Sequence, residues 1–343
     1  MPTPKPLLEI KNLKMHFPIK RGIMGRTVGF VKAVDDVSLT IGEGEVVGLV
    51  GESGCGKSTV SRCIVRAYKP TAGQILLHDA QGGAVDLASI PEPDMLPYRR
   101  DIQMIFQDPF SSLNPRMTLR QIIAEPMRNY QICRGKELED RVAYLLESVG
   151  LRPEHMSRYP HAFSGGQRQR VGIARALALN PRLIICDEPV SALDVSVQAQ
   201  ILNLLRDLQA EFRYSYLFIA HDLSVVDYIC ERVAVMYVGK IVETAETATI
   251  FKDPHHPYTA ALRSAIPQLN PRLRQLPVPL EGDVADPANT PSGCVFHPRC
   301  RFAEDRCRHE TPAMTATAPR HDARCHFAGE LNLSGLSQPA ATV

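Results

Sequence analysis

No stretch of the chain approaches the roughly 18–20 uninterrupted apolar residues that a helix needs to cross a bilayer, so a helical membrane span is not expected. Its first residues, MPTPKPLLEIKNLKMHF, lack the apolar core of a secretory leader. The chain is therefore expected to stay in the cytoplasm. Charge of one sign is scarce too: 39 Lys and Arg stand against 37 Asp and Glu, a formal net charge of +2. That is too little for a surface built to hold nucleic acid or anionic lipid. Sustained heptads are missing, which excludes a long coiled coil. What remains is an ordinary globular balance of 44% hydrophobic and 22% charged residues over 343 positions, enough for one large domain or two modest ones.

Tightly spaced cysteine pairs are also lacking. Five of the nine cysteines (Cys55, Cys63, Cys133, Cys186 and Cys230) are scattered, mostly through apolar runs, and read as small core-filling thiols of a reducing compartment. The other four crowd into the last fifty residues as Cys294-x5-Cys300-x6-Cys307-x17-Cys325.

The runs LLEIKNLKMHF and FVKAVDDVSLTI alternate as β-strands do, and Val46–Val50 is continuously apolar, as in a buried strand. The residues from Ser58 onward have a helical pattern. Strand, glycine loop and helix in that order form the first unit of a parallel α/β sheet. Residues 115–180 are expected to be mainly helical, with Leu138, Val142, Leu145, Leu146 and Val149 on one face. Leu183–Cys186 and Tyr216–Ile219 read as further strands around a helix over Val195–Gln209. Beyond about residue 265 proline becomes frequent (Pro267, Pro271, Pro277, Pro279, Pro287 and Pro291), which predicts an extended linker into the cysteine-rich tail.

Gly51-Glu-Ser-Gly-Cys-Gly-Lys57-Ser58 fits G-x-x-x-x-G-K-[ST] in full, between a buried strand and a helix. Glycines let the loop's N–H groups, from Ser53, Gly54, Cys55 and Gly56 to Thr59, turn toward phosphates, and the helix start adds positive potential. Lys57 is expected at the β- and γ-phosphates and the Ser58 hydroxyl on Mg²⁺. Cys55 lies inside this loop, so thiol alkylation is expected to abolish ATP hydrolysis and ATP to protect. Leu183-Ile-Ile-Cys-Asp187-Glu188 is an apolar strand ending in two acids: Asp187 for Mg²⁺, Glu188 to polarise the attacking water.

A second glycine-led helix start, Phe163-Ser164-Gly165-Gly166-Gln167-Arg-Gln-Arg, resembles the signature motif of ABC-transporter ATPases. Other motifs of that family follow the same order. Gln107 in MIFQDPF matches the Q-loop, Ser191-Ala-Leu-Asp194 the D-loop, and His221 in FIAHDL the switch histidine, while Phe17 lies where the family stacks an aromatic ring on adenine. The match covers residues 7–265, with a helical subdomain over about 110–178. Phe163 and Cys186 replace commoner aliphatic residues, and about a dozen residues (Pro18–Gly29) are inserted after Phe17.

The resemblance implies an α/β nucleotide-binding domain of the P-loop NTPase class: a RecA-like core, an antiparallel β subdomain and a helical subdomain. It implies head-to-tail dimers in which Ser164, Gly165, Gly166 and Gln167 serve the partner's ATP, His221 holds the γ-phosphate and Asp194 completes the contact. Gln107 would sense the γ-phosphate and Mg²⁺.

FQDPFSSLNPRMT, RYPHAFSGGQRQRVGIARALALNPRLIICDEPVSALDVSVQAQILNLL and HHPYTAALRSAIP are similar to the dipeptide and oligopeptide importer ATPases, and this chain is most similar to the second ATPase of the pair. The implied partners are a different ATPase subunit, two membrane permeases and, indirectly, an extracytoplasmic peptide-binding protein, with this chain on the cytoplasmic face. No nucleic acid is expected. ATPases of nickel, glutathione and sugar importers are built similarly. A soluble ABC ATPase of nucleic acid or ribosomes would carry two nucleotide domains or a coiled-coil insertion. In the extension over 266–343, thiolate ligation of a metal is the better account of four cysteines. Zinc prefers a C-x₂₋₄-C pair, whereas a [4Fe–4S] cluster tolerates varied spacing. Some members of the resembled family carry such a cluster. Iron–sulfur, zinc and no metal all stay open.

Overall fold

The computed structural model describes residues 4–22, 25–79, 81–266, 280 and 282–333. The expected proline-rich linker falls largely on 267–279, outside the described residues. Two compact units are built from interleaved segments, the first from 1–7, 41–45 and 90–219, the second from 8–40, 46–89 and 220–343.

In the first unit, strands Ile102–Ile105, Leu183–Asp187 and Ser215–Ala220 lie parallel, with Ile102 beside Leu183 and Leu183 beside Ser215. Leu183–Asp187 is fully buried, as an interior strand of a parallel sheet should be. Between the first two strands the chain forms helices Leu119–Asn129, Gly135–Ser148 and Gly165–Leu177, which pack on one another. The helical pattern read for 115–180 is thus present. Leu138, Val142, Leu145 and Leu146 form the buried stripe of the middle helix. Val149 is equally buried but lies just past the helix end.

In the second unit, strand Val46–Val50 is buried throughout and parallel to Arg232–Tyr237. An antiparallel sheet of Arg26–Gly42, Pro6–Arg21, Ala72–His78 and Ala84–Asp86 accompanies it, in that order. The inserted residues after Phe17 are largely strand: Pro6–Arg21 and Arg26–Gly42 both run into them. Arg232–Tyr237 pairs antiparallel with Lys240–Glu246, that strand with His321–Ala323, and His321–Ala323 with Thr315–Ala318. The last two form a hairpin in the cysteine-rich tail, for which no strands were named from the sequence. Its strands are three and four residues long and turn at Pro319-Arg320, with Arg320 left-handed (φ 58°), too short for alternation to show.

A buried carboxylate fastens that hairpin. Glu243 accepts the N–H groups of His255 (2.6 Å) and His256 (3.0 Å), and its Oε1 also meets His321 Nε2 at 2.7 Å. His255 stacks on His321 with ring centroids 3.9 Å apart. His256 Nδ1 accepts the Tyr258 N–H at 3.1 Å and so caps helix Pro257–Ser264. Burial lowers the His256 pKa to about 4, against the opposing pull of Glu243. In the unfolded chain its value is about 6.5, so the unfolded state binds the extra proton between pH 6.5 and 4. Stability is therefore full above about pH 6.5 and falls as the pH drops through that window. We expect about 2 kcal/mol of loss from pH 7 to pH 5 through this group. Denaturant midpoints at the two pH values check it: a His256→Asn variant should show a smaller drop.

Candidate functional site

The phosphate loop belongs to the second unit. Gly51, Gly54 and Gly56 have φ of 157°, 80° and 108°, open to glycine and strained for other residues. At Gly51 a Cβ would collide with the Met236 carbonyl, and at Gly56 with that of Ala33. Ser53 and Gly54 are exposed at the tip, and Cys55 is buried beneath. Gly56 caps helix Lys57–Ile64 with no side-chain acceptor, and the first turn holds no acid. A helix start left without a protein cap suits an anion. Lys57 is 4% exposed, and its Nζ donates to the carbonyls of Gly51 (2.8 Å) and Glu52 (3.0 Å). Ser58 and Thr59 lie on the first turn of that helix.

The burial of Cys55 corrects the alkylation expectation. Its thiol lies 3.7 Å from Lys57 Nζ, and burial raises its pKa despite that cation. Little thiolate and no access make a poor nucleophile. Peptide mapping after iodoacetamide at neutral pH should find Cys55 unmodified while small exposed thiols in the same solution react fully. Cys63, Cys133, Cys186 and Cys230 are buried as expected of core thiols.

Phe17, half-buried in the same unit, packs edge-on against Tyr68 at 5.3 Å and 84°. Tyr68 follows the phosphate-loop helix and receives a 3.2 Å hydrogen bond from Arg62. His221 is exposed, one residue before Asp222, whose carboxylate accepts the Ser224 N–H at 2.8 Å and caps helix Leu223–Ile229.

In the first unit, Asp187 is buried at the end of its strand and Glu188 follows it with φ 46°. The Glu188 N–H donates to Ile219 O at 3.0 Å. Gln107 Nε2 donates to Glu188 Oε2 at 2.8 Å, so two residues 81 positions apart meet. Within this unit Asp187 and Gln107 carry oxygen donors of the kind a hard cation such as Mg²⁺ takes. Ser164 and Gln167 form a reciprocal capping box on helix Gly165–Leu177: Ser164 Oγ accepts the Gln167 N–H at 3.4 Å, and Gln167 Oε1 accepts the Ser164 N–H at 3.1 Å. A Cβ on Gly166 would strike Val197, which explains that glycine by close helix packing. Asp194 is exposed at the start of helix Val195–Phe212, beside Val195 at 82% exposure.

Cys294, Cys300, Cys307 and Cys325 share one neighbourhood. Cys294 N–H donates to Cys307 O at 2.8 Å. Burial pushes the Cys300 thiol up to about 12 and that of Cys325 to about 11, with the neighbouring thiols adding to both shifts. Yet among the described residues no three His, Cys, Asp or Glu side chains converge as ligands of one metal ion. The arrangement gives a single ion such as the expected zinc no ready ligand set.

Some contributors escape sequence reading. Arg168, Gln169 and Arg175 on the signature helix hold the segment around Gln107: Gln169 donates to Phe106 O (3.5 Å), Arg175 to Ser112 O (2.8 Å), and Arg168 lies over the Phe110 ring. The seven-residue spacing of Arg168 and Arg175, which puts both on one helix face, was the available signal. Arg299, in the tail, pairs with Glu52 of the phosphate loop; nothing in the sequence links them.

The "ABC transporter" family matches residues 34–191, and "Oligopeptide/dipeptide transporter, C-terminal region" matches residues 242–307. The oligopeptide transport ATP-binding protein AppF of Bacillus subtilis is 51% identical over 94% of this chain and 97% of its own length. A probable peptide ABC transporter ATP-binding protein, y4tS of Sinorhizobium fredii, is 51% identical over 97% and 93%. Among solved structures, the dimeric post-hydrolysis state of the ATP-binding cassette MJ0796 bound to ADP and Pi matches with a TM-score of 0.61 at 29% identity, over 70% of this chain and 98% of that one.

Proposed function

The chain belongs to the ABC transporter family of ATP-binding proteins, and from that membership we propose that it hydrolyses ATP to drive import of short peptides through membrane permeases. The relatives' names and the matched C-terminal region support the cargo class. The observation that carries the catalytic part is the Gln107–Glu188 hydrogen bond, in which the proposed sensing amide donates to the carboxylate proposed as general base.

In this reading residues 7–265 form the nucleotide-binding domain and 266–343 an extension. The N–H groups of Ser53 to Thr59 receive the phosphates, and Lys57 leaves its own loop carbonyls for the β- and γ-oxygens. Ser58, Asp187 and Gln107 would hold Mg²⁺, which would supply charge neutralisation to the phosphates. Glu188 takes the proton of the attacking water, and His221 steadies the γ-phosphate. Phe17 stacks on adenine. The Ser164–Gln167 turn and Asp194 face the nucleotide of a second, different ATPase subunit. The pair acts on two permeases at the cytoplasmic membrane face, fed by an extracytoplasmic binding protein. No helix among the described residues is long and apolar enough to cross a membrane, which fits a subunit that relies on such permeases. For the four tail thiols the reading is a [4Fe–4S] cluster before zinc, supported by their number and shared neighbourhood. A cubane spans its ligands more widely than a single ion does.

Uptake of labelled di- to pentapeptides by cells lacking this gene tests the cargo. Uptake should fall to background and return with the wild-type gene but not with Glu188→Gln. Unchanged peptide uptake with lost nickel, glutathione or sugar uptake would reassign the substrate. For the tail, anaerobic preparation should give about four irons and four sulfides per chain. A colourless protein without iron would remove the cluster.

A further inference from the structure

The phosphate loop is gripped from a part of the chain nearly 250 positions away. Arg299 places its guanidinium in a fork on Glu52, Nη1 to Oε2 at 2.7 Å and Nη2 to Oε1 at 3.2 Å. The arginine side chain is only 6% exposed. The other polar groups of Glu52 are engaged as well. Its N–H donates to Tyr258 Oη at 2.9 Å, and its carbonyl accepts Lys57 Nζ at 3.0 Å. Tyr258 is fully buried against Tyr237 and Phe296, with ring centroids 4.7 and 5.4 Å away. Arg299 and Phe296 both lie within the segment that matches the oligopeptide/dipeptide C-terminal region.

Forked arginine–carboxylate pairs fix orientation as well as distance; Glu52 is 27% exposed, so the pair is part-buried, and opening it would leave the buried guanidinium without its carboxylate. We propose that Arg299 is a positioning residue for ATP: through Glu52 it fixes the first turn of the phosphate loop, so the C-terminal extension sets nucleotide affinity. Lys57 must leave the Glu52 and Gly51 carbonyls to meet phosphate. If Glu52 is anchored, the lysine leaves a fixed frame and the loop N–H groups keep their cradle. If Glu52 is loose, the loop follows the lysine, and ordering it again weakens binding. The step stabilised is ATP binding, so KM should respond and kcat should not. The inference rests on the ATPase reading above.

The test uses the full-length chain and a non-hydrolysable ATP analogue with Mg²⁺, by calorimetric titration. Glu52→Gln and Arg299→Gln should each weaken binding about tenfold, about 1.4 kcal/mol. The double variant should be no weaker than either single, because both remove one interaction. The kcat at saturating ATP should stay within about twofold of wild type, with the loss in KM. Arg299→Lys, which restores the charge but not the fork, should recover part of the affinity. Hydrogen exchange at residues 52–56 should speed up in both single variants. Arg324→Gln is the control for docking alone, since Arg324 joins the same extension to Asp36 (3.2 Å) and not to the loop; it should bind the analogue normally. Single variants within about twofold of wild type, additive losses, or an equal loss in Arg324→Gln would each overturn the inference. If Arg299→Gln does not fold, Glu52→Gln decides by its affinity and loop exchange. A wild-type chain that bound no ATP would overturn the ATPase reading too, whereas insensitive variants of a binding chain overturn this inference alone.

Discussion

Replacing Glu188 by Gln should lower ATP turnover by about 10²–10⁴-fold, the range a positioned general base supplies, with ATP binding within about twofold of wild type. Glutamine keeps the size and can still accept the 2.8 Å hydrogen bond from Gln107, so the turn at φ 46° has no reason to move. What is lost is the carboxylate's ability to take a proton from water. Phosphate release by the purified chain with its partner subunits measures the first number, and analogue titration the second. The ATP-bound pair of ATPases should then persist in sizing experiments where wild type dissociates. Turnover within about tenfold of wild type would remove Glu188 from the role of base.

Gly56→Ala should be the most damaging small substitution in the phosphate loop. Its φ of 108° is strained for alanine, and the new methyl would collide with the Ala33 carbonyl and crowd the Met236 side chain. Backbone strain of about 1–3 kcal/mol and overpacking of similar size add to about 2–6 kcal/mol of lost stability. Because the loop can relieve the clash only by moving, ATP affinity should fall at least about 100-fold. Gly54→Ala is the internal comparison: φ is 80°, but a Cβ there meets nothing within 4 Å. It should carry the strain alone, roughly half the stability loss. Denaturant midpoints and nucleotide titrations of the two variants separate strain from collision. Equal midpoints would show that the Ala33 contact does not constrain the loop.

The site was legible in the sequence where chemistry needs neighbours in the chain. The glycines before Lys57, the acids after Leu183–Cys186 and the Ser164–Gln167 turn each sit on one loop, so spacing alone announced them. Strand Val46–Val50 and the stripe of helix Gly135–Ser148 were equally plain, because burial imposes a period over enough residues. The Arg299–Glu52 fork was invisible because it joins charged residues that are separately unremarkable. The tail hairpin was invisible because its pairing, Glu243 beside Ala323, is a partner's choice and not a local preference. Cys55 was misread for a related reason: loop membership was visible, whereas depth beneath the loop depends on packing.

The reciprocal cap on helix Gly165–Leu177 gives this chain a form of patience. A helix start with bare amides would collect any stray anion, and cells are full of them. Here Ser164 and Gln167 already occupy each other, at a strength of about 1 kcal/mol for such a cap. A weakly held ion gains too little to displace them, whereas a nucleotide fixed elsewhere by many contacts can. In the proposed reading the helix start would thus work as a threshold, closed to simple salts and open to a phosphate that arrives already held in place.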